Sequence, residues 1–89
     1  MSDRLLTFTT QGWDDYQSWV AQKPTLRRIN RMIDEARRTP EEGIGRPEPL
    51  VAEWAGYWSR RVTEGDRMVY SFTEKQLVIV LLRGHYYDH

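Results

Sequence analysis

Arg61 and Arg67 lie on either side of the short segment Thr63-Glu64-Gly65, and the residues around them alternate in polarity. A hairpin with a three-residue loop, a type I turn followed by Gly65 in the left-handed conformation, pairs Val62 with Asp66 and Arg61 with Arg67. It also pairs Arg60 with Met68 and Trp58 with Tyr70. One face then collects Trp58, Val62, Met68, Tyr70 and Phe72, and the other Ser59, Arg61, Arg67, Val69 and Ser71. A slip of one residue would mix the two sets. Arg60 is the one misfit, a cation on the apolar side. Two like charges directly opposed weaken a ladder unless an anion or a carboxylate lies between them. Either Asp and Glu neighbours neutralise the pair on a solvated face, or the pair binds phosphate, to which the planar guanidinium fork is suited.

Acids and bases that could work beside such a pair are few. Glu48 stands between Pro47 and Pro49, which restrict its backbone and hold its carboxylate at a fixed offset. The plainer reading is an exposed loop acid. His85 follows Gly84 at the end of the last strand, where that strand returns alongside Arg67. Imidazole is the side chain best matched to proton transfer near neutrality, although a histidine there can equally be a surface residue. Tyr86 and Tyr87 could stack on a base. Glu48, Arg61, Arg67, His85 and Tyr86 together are the parts of a metal-free ribonuclease. RNA supplies its own nucleophile in the 2′-OH, a base takes that proton, an acid protonates the departing 5′-oxygen, and cations stabilise the phosphorane.

The elements that must position these residues form an α+β pattern in one domain, residues 1–89. Arg4 to Thr9 alternate as a first strand, and Thr9-Thr10 can cap a helix. Trp13, Tyr16 and Val20 recur at helical spacing as its apolar stripe. Pro24 opens a second helix, whose inner face is Leu26, Ile29, Ile33 and Ala36 and which Thr39-Pro40 ends. Arg27, Arg28, Arg31 and Arg37 flank that stripe, either as a solvated face or as contacts to RNA or an acidic partner segment. Glu41 to Pro49, with two glycines and two prolines, reads as a loop without regular structure. Three antiparallel strands follow, Tyr57 to Val62, Asp66 to Phe72 and Gln76 to Arg83. Leu77 to Leu82 is apolar throughout, which predicts a central strand covered on both faces, with the first strand along its free edge.

The chain has 89 residues, with 13 Lys plus Arg against 13 Asp plus Glu, and eleven of the cations are Arg. Zero net charge argues against a module that holds nucleic acid by charge alone. The absence of Cys excludes disulfides, thiol nucleophiles and thiolate zinc sites, and two His make a poor metal cage, so neither metal nor cofactor is expected. The longest apolar run is far below the roughly 20 residues of a membrane span, and the N-terminus shows no signal-peptide core; the expectation is a cytoplasmic protein.

The stretch RRTPEEGIGRPEPL (Arg37 to Leu50), then GYWSRRVTEGDRMVY (Gly56 to Tyr70), then His85-Tyr86, together with WDDY (Trp13 to Tyr16), resembles the YoeB/Txe toxins of the RelE superfamily. The resemblance implies a RelE-like fold, a small twisted antiparallel sheet packed against two N-terminal helices. It also implies the toxin of a type II toxin–antitoxin module, an mRNA interferase that cleaves mRNA in the ribosomal A site. The family's proton acceptor falls on Glu48, its proton donor on His85, and the Arg that stabilises the scissile phosphate on Arg67. A further phosphate contact falls on Arg61, and the Tyr that seats the RNA on Tyr86. Implied partners are a YefM/Phd-type antitoxin, the ribosome with its mRNA, a second copy in a homodimer, and operator DNA only through the antitoxin. The rival reading is a non-catalytic A-site binder that blocks translation. Two positions depart from the pattern: Val51 replaces a basic residue common after PEPL, and Tyr87-Asp88-His89 extend past the His-Tyr pair.

Overall fold

A computed structural model describes residues 3–85. The first strand, β1 (Leu5–Phe8), runs into a helix capped by Thr9, whose side-chain oxygen accepts the Gly12 N–H at 3.0 Å. Helices α1 (Thr10–Ser18) and α2 (Lys23–Arg38) follow, then a two-residue strand β2 (Glu48–Pro49) and a 3-10 turn at Ala52–Trp54. The hairpin of β3 (Trp58–Arg61) and β4 (Arg67–Phe72) leads to β5 (Gln76–Leu81). The sheet order is β1-β5-β4-β3-β2. Pairing is antiparallel from β3 to β5, as expected; β2 adds to β3 antiparallel, and β1 adds to β5 in parallel, which makes the sheet mixed. No helix among the described residues is long and apolar enough to cross a membrane.

The hairpin register is the expected one, with Trp58 opposite Tyr70, Arg60 opposite Met68 and Arg61 opposite Arg67. Its turn closes differently. Gly65 is not in the left-handed region; instead the Val62 N–H reaches the Asp66 carbonyl at 2.9 Å and the Thr63 hydroxyl reaches Asp66 Oδ2 at 2.7 Å. A side-chain bond supplies the closure that the glycine was expected to supply.

Helix α2 buries Ile29, Met32, Ile33 and Ala36 against Val62, Met68, Tyr70, Leu77 and Ile79. Fully burying an aliphatic side chain of this size contributes about 1.5–3 kcal/mol. On the other sheet face Leu50, Val69 and Leu81 form a second cluster with Trp54, Tyr57 and Val80, so β5 is covered on both sides. Between Val69 and Tyr70 the partner on β5 jumps from Leu81 to Ile79, leaving Val80 as a bulge.

Helix α1 turns a different face inward from the expected one. Of the expected stripe, Tyr16 packs partly buried against the core, but Trp13 and Val20 are exposed, and Gly12, Asp15 and Trp19 are the buried positions. The reason is polar and steric. A Cβ on Gly12 would lie 2.3 Å from the Ile79 carbonyl oxygen, so only glycine permits this approach to β5. Asp15 Oδ2 accepts the Leu82 N–H at 2.9 Å, and Trp19 Nε1 donates to the Leu82 carbonyl at 2.9 Å. Both backbone groups of Leu82 are thereby satisfied by side chains of α1 and its C-cap Trp19. Glu48–Pro49 is a second difference, since the segment expected to be irregular forms an edge strand there, a place where proline is tolerated.

Candidate functional site

The sheet face opposite α2 carries the candidate site. Glu48 pairs with Ser59, Ser59 with Val69, and Arg61 with Arg67, so Glu48, Arg61 and Arg67 share that face. From the register, Glu48 is a diagonal neighbour of Arg61, with Arg67 one strand further, roughly 12 Å from Glu48 between Cα atoms. Glu48 and Arg61 are exposed and Arg67 is half-buried. Among the described residues the ion pairs within 4.0 Å are Arg60 with Glu35 and Arg38 with Asp3. Among the described residues no carboxylate lies within 4.0 Å of the Arg61 or Arg67 guanidinium.

Arg67 is held by one edge of its fork. Nη1 donates to the carbonyls of Thr63, Glu64 and Asp66 at 3.0, 3.1 and 3.1 Å. Nε and Nη2 donate to no acceptor among the described residues, and that edge of a guanidinium has the geometry to take an anion side-on. The Arg67 N–H donates to the Gly84 carbonyl at 2.9 Å, which brings the half-buried His85 beside this strand as expected. Tyr86, Tyr87, Asp88 and His89 lie outside the described residues.

The loop before Glu48 is organised by Arg60, the misfit of the hairpin pattern. Arg60 is 0% exposed, and its five N–H donors all find acceptors. Nε donates to the Tyr70 hydroxyl at 3.1 Å; Nη1 to Glu35 Oε1 at 2.8 Å and the Ile44 carbonyl at 3.2 Å; Nη2 to the Thr39 and Glu42 carbonyls at 3.0 and 2.7 Å. Tyr70 in turn donates to the Pro40 carbonyl. Glu35 Oε1 also accepts the Ile44 N–H at 2.6 Å. Burial alone would raise the Glu35 carboxyl, but the Ile44 and Arg60 hydrogen bonds with the charges of Arg60 and Arg31 outweigh it and hold the group below its ordinary 4.5. Burial pushes the Tyr70 hydroxyl above its ordinary 10.0 despite the opposing pull of Arg60. Gly43 has φ +124°, and a Cβ there would collide with the Glu35 carboxylate.

Several positioning residues are not legible as such in sequence. Arg46, exposed and two residues before Glu48, has φ +53°, a conformation uncommon outside glycine. Its signal is a long cation set between Gly45 and Pro47. Asp15 and Trp19 signal themselves only as a stripe with Gly12 at steps of three and four. Of the basic flank, Arg28 is committed to the Val62 and Arg61 carbonyls at 3.0 and 2.9 Å, and Arg37 to the Arg4 carbonyl at 2.7 Å. Among the described residues no three His, Cys, Asp or Glu side chains form a group able to hold a metal ion.

The arrangement offers an anion two guanidiniums, with the Glu48 carboxylate on the neighbouring strand to one side and the backbone leading to His85 on the other. Comparison with known proteins agrees with the sequence resemblance. The family described as "YoeB-like toxin of bacterial type II toxin-antitoxin system" matches residues 8–86. Toxin YoeB of Streptomyces coelicolor is 48% identical over 82 residues, 91% of this chain and 98% of its own. The YoeB/ParE toxin from Agrobacterium tumefaciens superposes with a TM-score of 0.85 at 41% identity, covering 92% of this chain and 99% of that one. YoeB of Staphylococcus aureus, solved as a dimer and in complex with YefM, gives TM-scores of 0.86 and 0.84 at 31% identity, covering 96% of this chain and 100% of that one. The chain therefore belongs to the YoeB-like toxins of bacterial type II toxin–antitoxin systems.

Proposed function

We propose that this chain is a ribosome-dependent endoribonuclease that cleaves mRNA in the A site and so inhibits translation. The observation that carries the reading is the opposed pair Arg61 and Arg67, which no carboxylate among the described residues pairs within 4.0 Å, with Glu48 on the neighbouring strand and His85 just past Gly84. Glu48 takes the proton from the 2′-OH, whose oxygen attacks the adjacent phosphorus. Arg67, with Arg61, stabilises the charge that builds on the non-bridging oxygens in the phosphorane. The bond to the 5′-oxygen breaks as the His85 imidazolium supplies its proton, leaving a 2′,3′-cyclic phosphate and a free 5′-hydroxyl. Tyr86 stacks on a base of the substrate. No metal is required in this scheme, because the nucleophile belongs to the RNA and the guanidiniums serve as the cations. DNA lacks that nucleophile.

The partners we assign are a YefM/Phd-type antitoxin, the ribosome with its mRNA, and a second copy of the chain, all in the cytoplasm; operator DNA is reached only through the antitoxin. The S. aureus relative, solved as a dimer and with YefM, supports the first and third. The test is 5′-end mapping of mRNA in a translating extract. New 5′ ends are expected with the wild type and not with Glu48→Ala, Arg67→Ala or His85→Ala. Cleavage at wild-type rates by all three variants sinks the assignment, and stalled elongation without new ends identifies a pure A-site binder.

A further inference from the structure

The chain just before His85 lies past the end of β5, and side chains hold much of it in place. Leu82 is gripped by Asp15 and Trp19. Gly84, with φ +69°, is gripped on both of its backbone groups: its carbonyl by the Arg67 N–H at 2.9 Å, its N–H by Asp66 Oδ1 at 2.8 Å. Asp66 is also the residue that closes the hairpin turn. Its Oδ2 accepts from the Thr63 hydroxyl at 2.7 Å, and its carbonyl takes the Val62 and Thr63 amides and Arg67 Nη1. A single carboxylate thus spans the 18 residues between turn and tail.

We propose that Asp66 is a positioning residue, whose carboxylate joins the Thr63–Asp66 turn to Gly84 and so sets both the Arg67 guanidinium and the backbone from which His85 projects. The inference rests on the reading of Arg67 and His85 as site residues. A carboxylate suits the task because it only accepts, and its two oxygens face donors on opposite sides. Without Oδ1, the Gly84 N–H has to find water, and a positive-φ residue at the end of a strand is free to unwind. Without Oδ2, the carbonyls of Thr63, Glu64 and Asp66 that seat Arg67 Nη1 lose their common frame. Asn preserves the Oδ1 acceptor, and its amide can donate to the Thr63 hydroxyl, which then reverses its role.

Single-turnover cleavage on programmed ribosomes and the exchange rate of the Gly84 amide, read by NMR, test the inference together. Asp66→Ala is expected to lower kcat about 10- to 100-fold with KM nearly unchanged, since misplacement of reacting groups by about 1 Å costs on that scale. Asp66→Asn is expected to stay within about threefold of wild type, the acceptor alone being what Gly84 needs. The Gly84 amide should lose protection in Asp66→Ala and keep it in Asp66→Asn. Should Asp66→Ala fail to fold, Asp66→Ser, whose hydroxyl stops short of Gly84, makes the same separation. An unchanged kcat in Asp66→Ala, equal losses in the Ala and Asn variants, or a Gly84 amide still protected in Asp66→Ala overturns the proposal. A wild-type chain that leaves mRNA intact overturns the endoribonuclease reading instead, and the amide still decides for or against the Asp66 link.

Discussion

Replacing Arg60 with Met tests the claim that one buried guanidinium organises the loop before Glu48. Met fills similar space along the apolar part of the side chain but donates nothing. The substitution leaves the Glu35 carboxylate with only the Ile44 N–H, and strips a donor from the Thr39, Glu42 and Ile44 carbonyls. Removing one partner of a buried, hydrogen-bonded ion pair costs about 3–5 kcal/mol. A domain of this size is held by only about 5–15 kcal/mol. The expected fall in Tm is about 12–40 °C, from about 4–8 °C per kcal/mol. Urea unfolding followed by tryptophan fluorescence measures it directly. Because the penalty comes from an orphaned charge, Arg60→Met combined with Glu35→Leu should recover about 0.5–3 kcal/mol relative to Arg60→Met alone. A loss below about 1 kcal/mol in the single variant, or a double variant worse than the sum of its parts, refutes the reasoning.

Other predictions follow from the same geometry. Arg61→Ala should leave stability unchanged or raise it by on the order of 0.2–1 kcal/mol, because it relieves a like-charged cross-strand pair, while weakening RNA binding in a salt-dependent filter assay. Gly43→Ala should lose more than about 2 kcal/mol in urea unfolding, since the added methyl meets the Glu35 carboxylate and the backbone lies at φ +124°. Stability should also depend on Glu35 ionisation. The folded group sits below its ordinary 4.5, so as pH falls the unfolded chain binds the proton first; the Glu35 contribution is complete above about 4.5 and fades below it. Urea midpoints from pH 7 to pH 3 should therefore fall more steeply for wild type than for Glu35→Gln.

The hairpin was legible because its alternation permits only one register, and that register alone brought Arg61 and Arg67 face to face. The apolar stripe of α2 was legible for the same reason, with Met32 added by the structure. The face of α1 was not, since glycine and aspartate carry no hydrophobic signal and were selected by contact with Ile79 and Leu82, more than 60 residues away. Arg60 could be seen as a misfit, but not its acceptors: they come from α2, the following loop and β4, up to 25 residues distant. Nor does a single strand's sequence carry its direction, so the parallel pairing of β1 emerges only when the crossover through both helices is seen. In sequence Asp66 reads as the first residue of a strand and Gly65 as the left-handed closer, yet the Asp66 side chain is what closes the loop.

The long reach between Asp15 and Leu82 also bears on the timing of synthesis. Thr9 and Asp15 must wait 71 and 67 residues for their partners at Val80 and Leu82, and β1 pairs with no strand but β5. At about 5–20 residues per second, several seconds separate the emergence of the first helix from that of the segment that completes it. During that interval β1 and α1 have no sheet to dock on, and the backbone that carries His85 does not yet exist. Core and candidate site are finished by the same few residues, so neither is complete until the last strand and the turn after it have emerged.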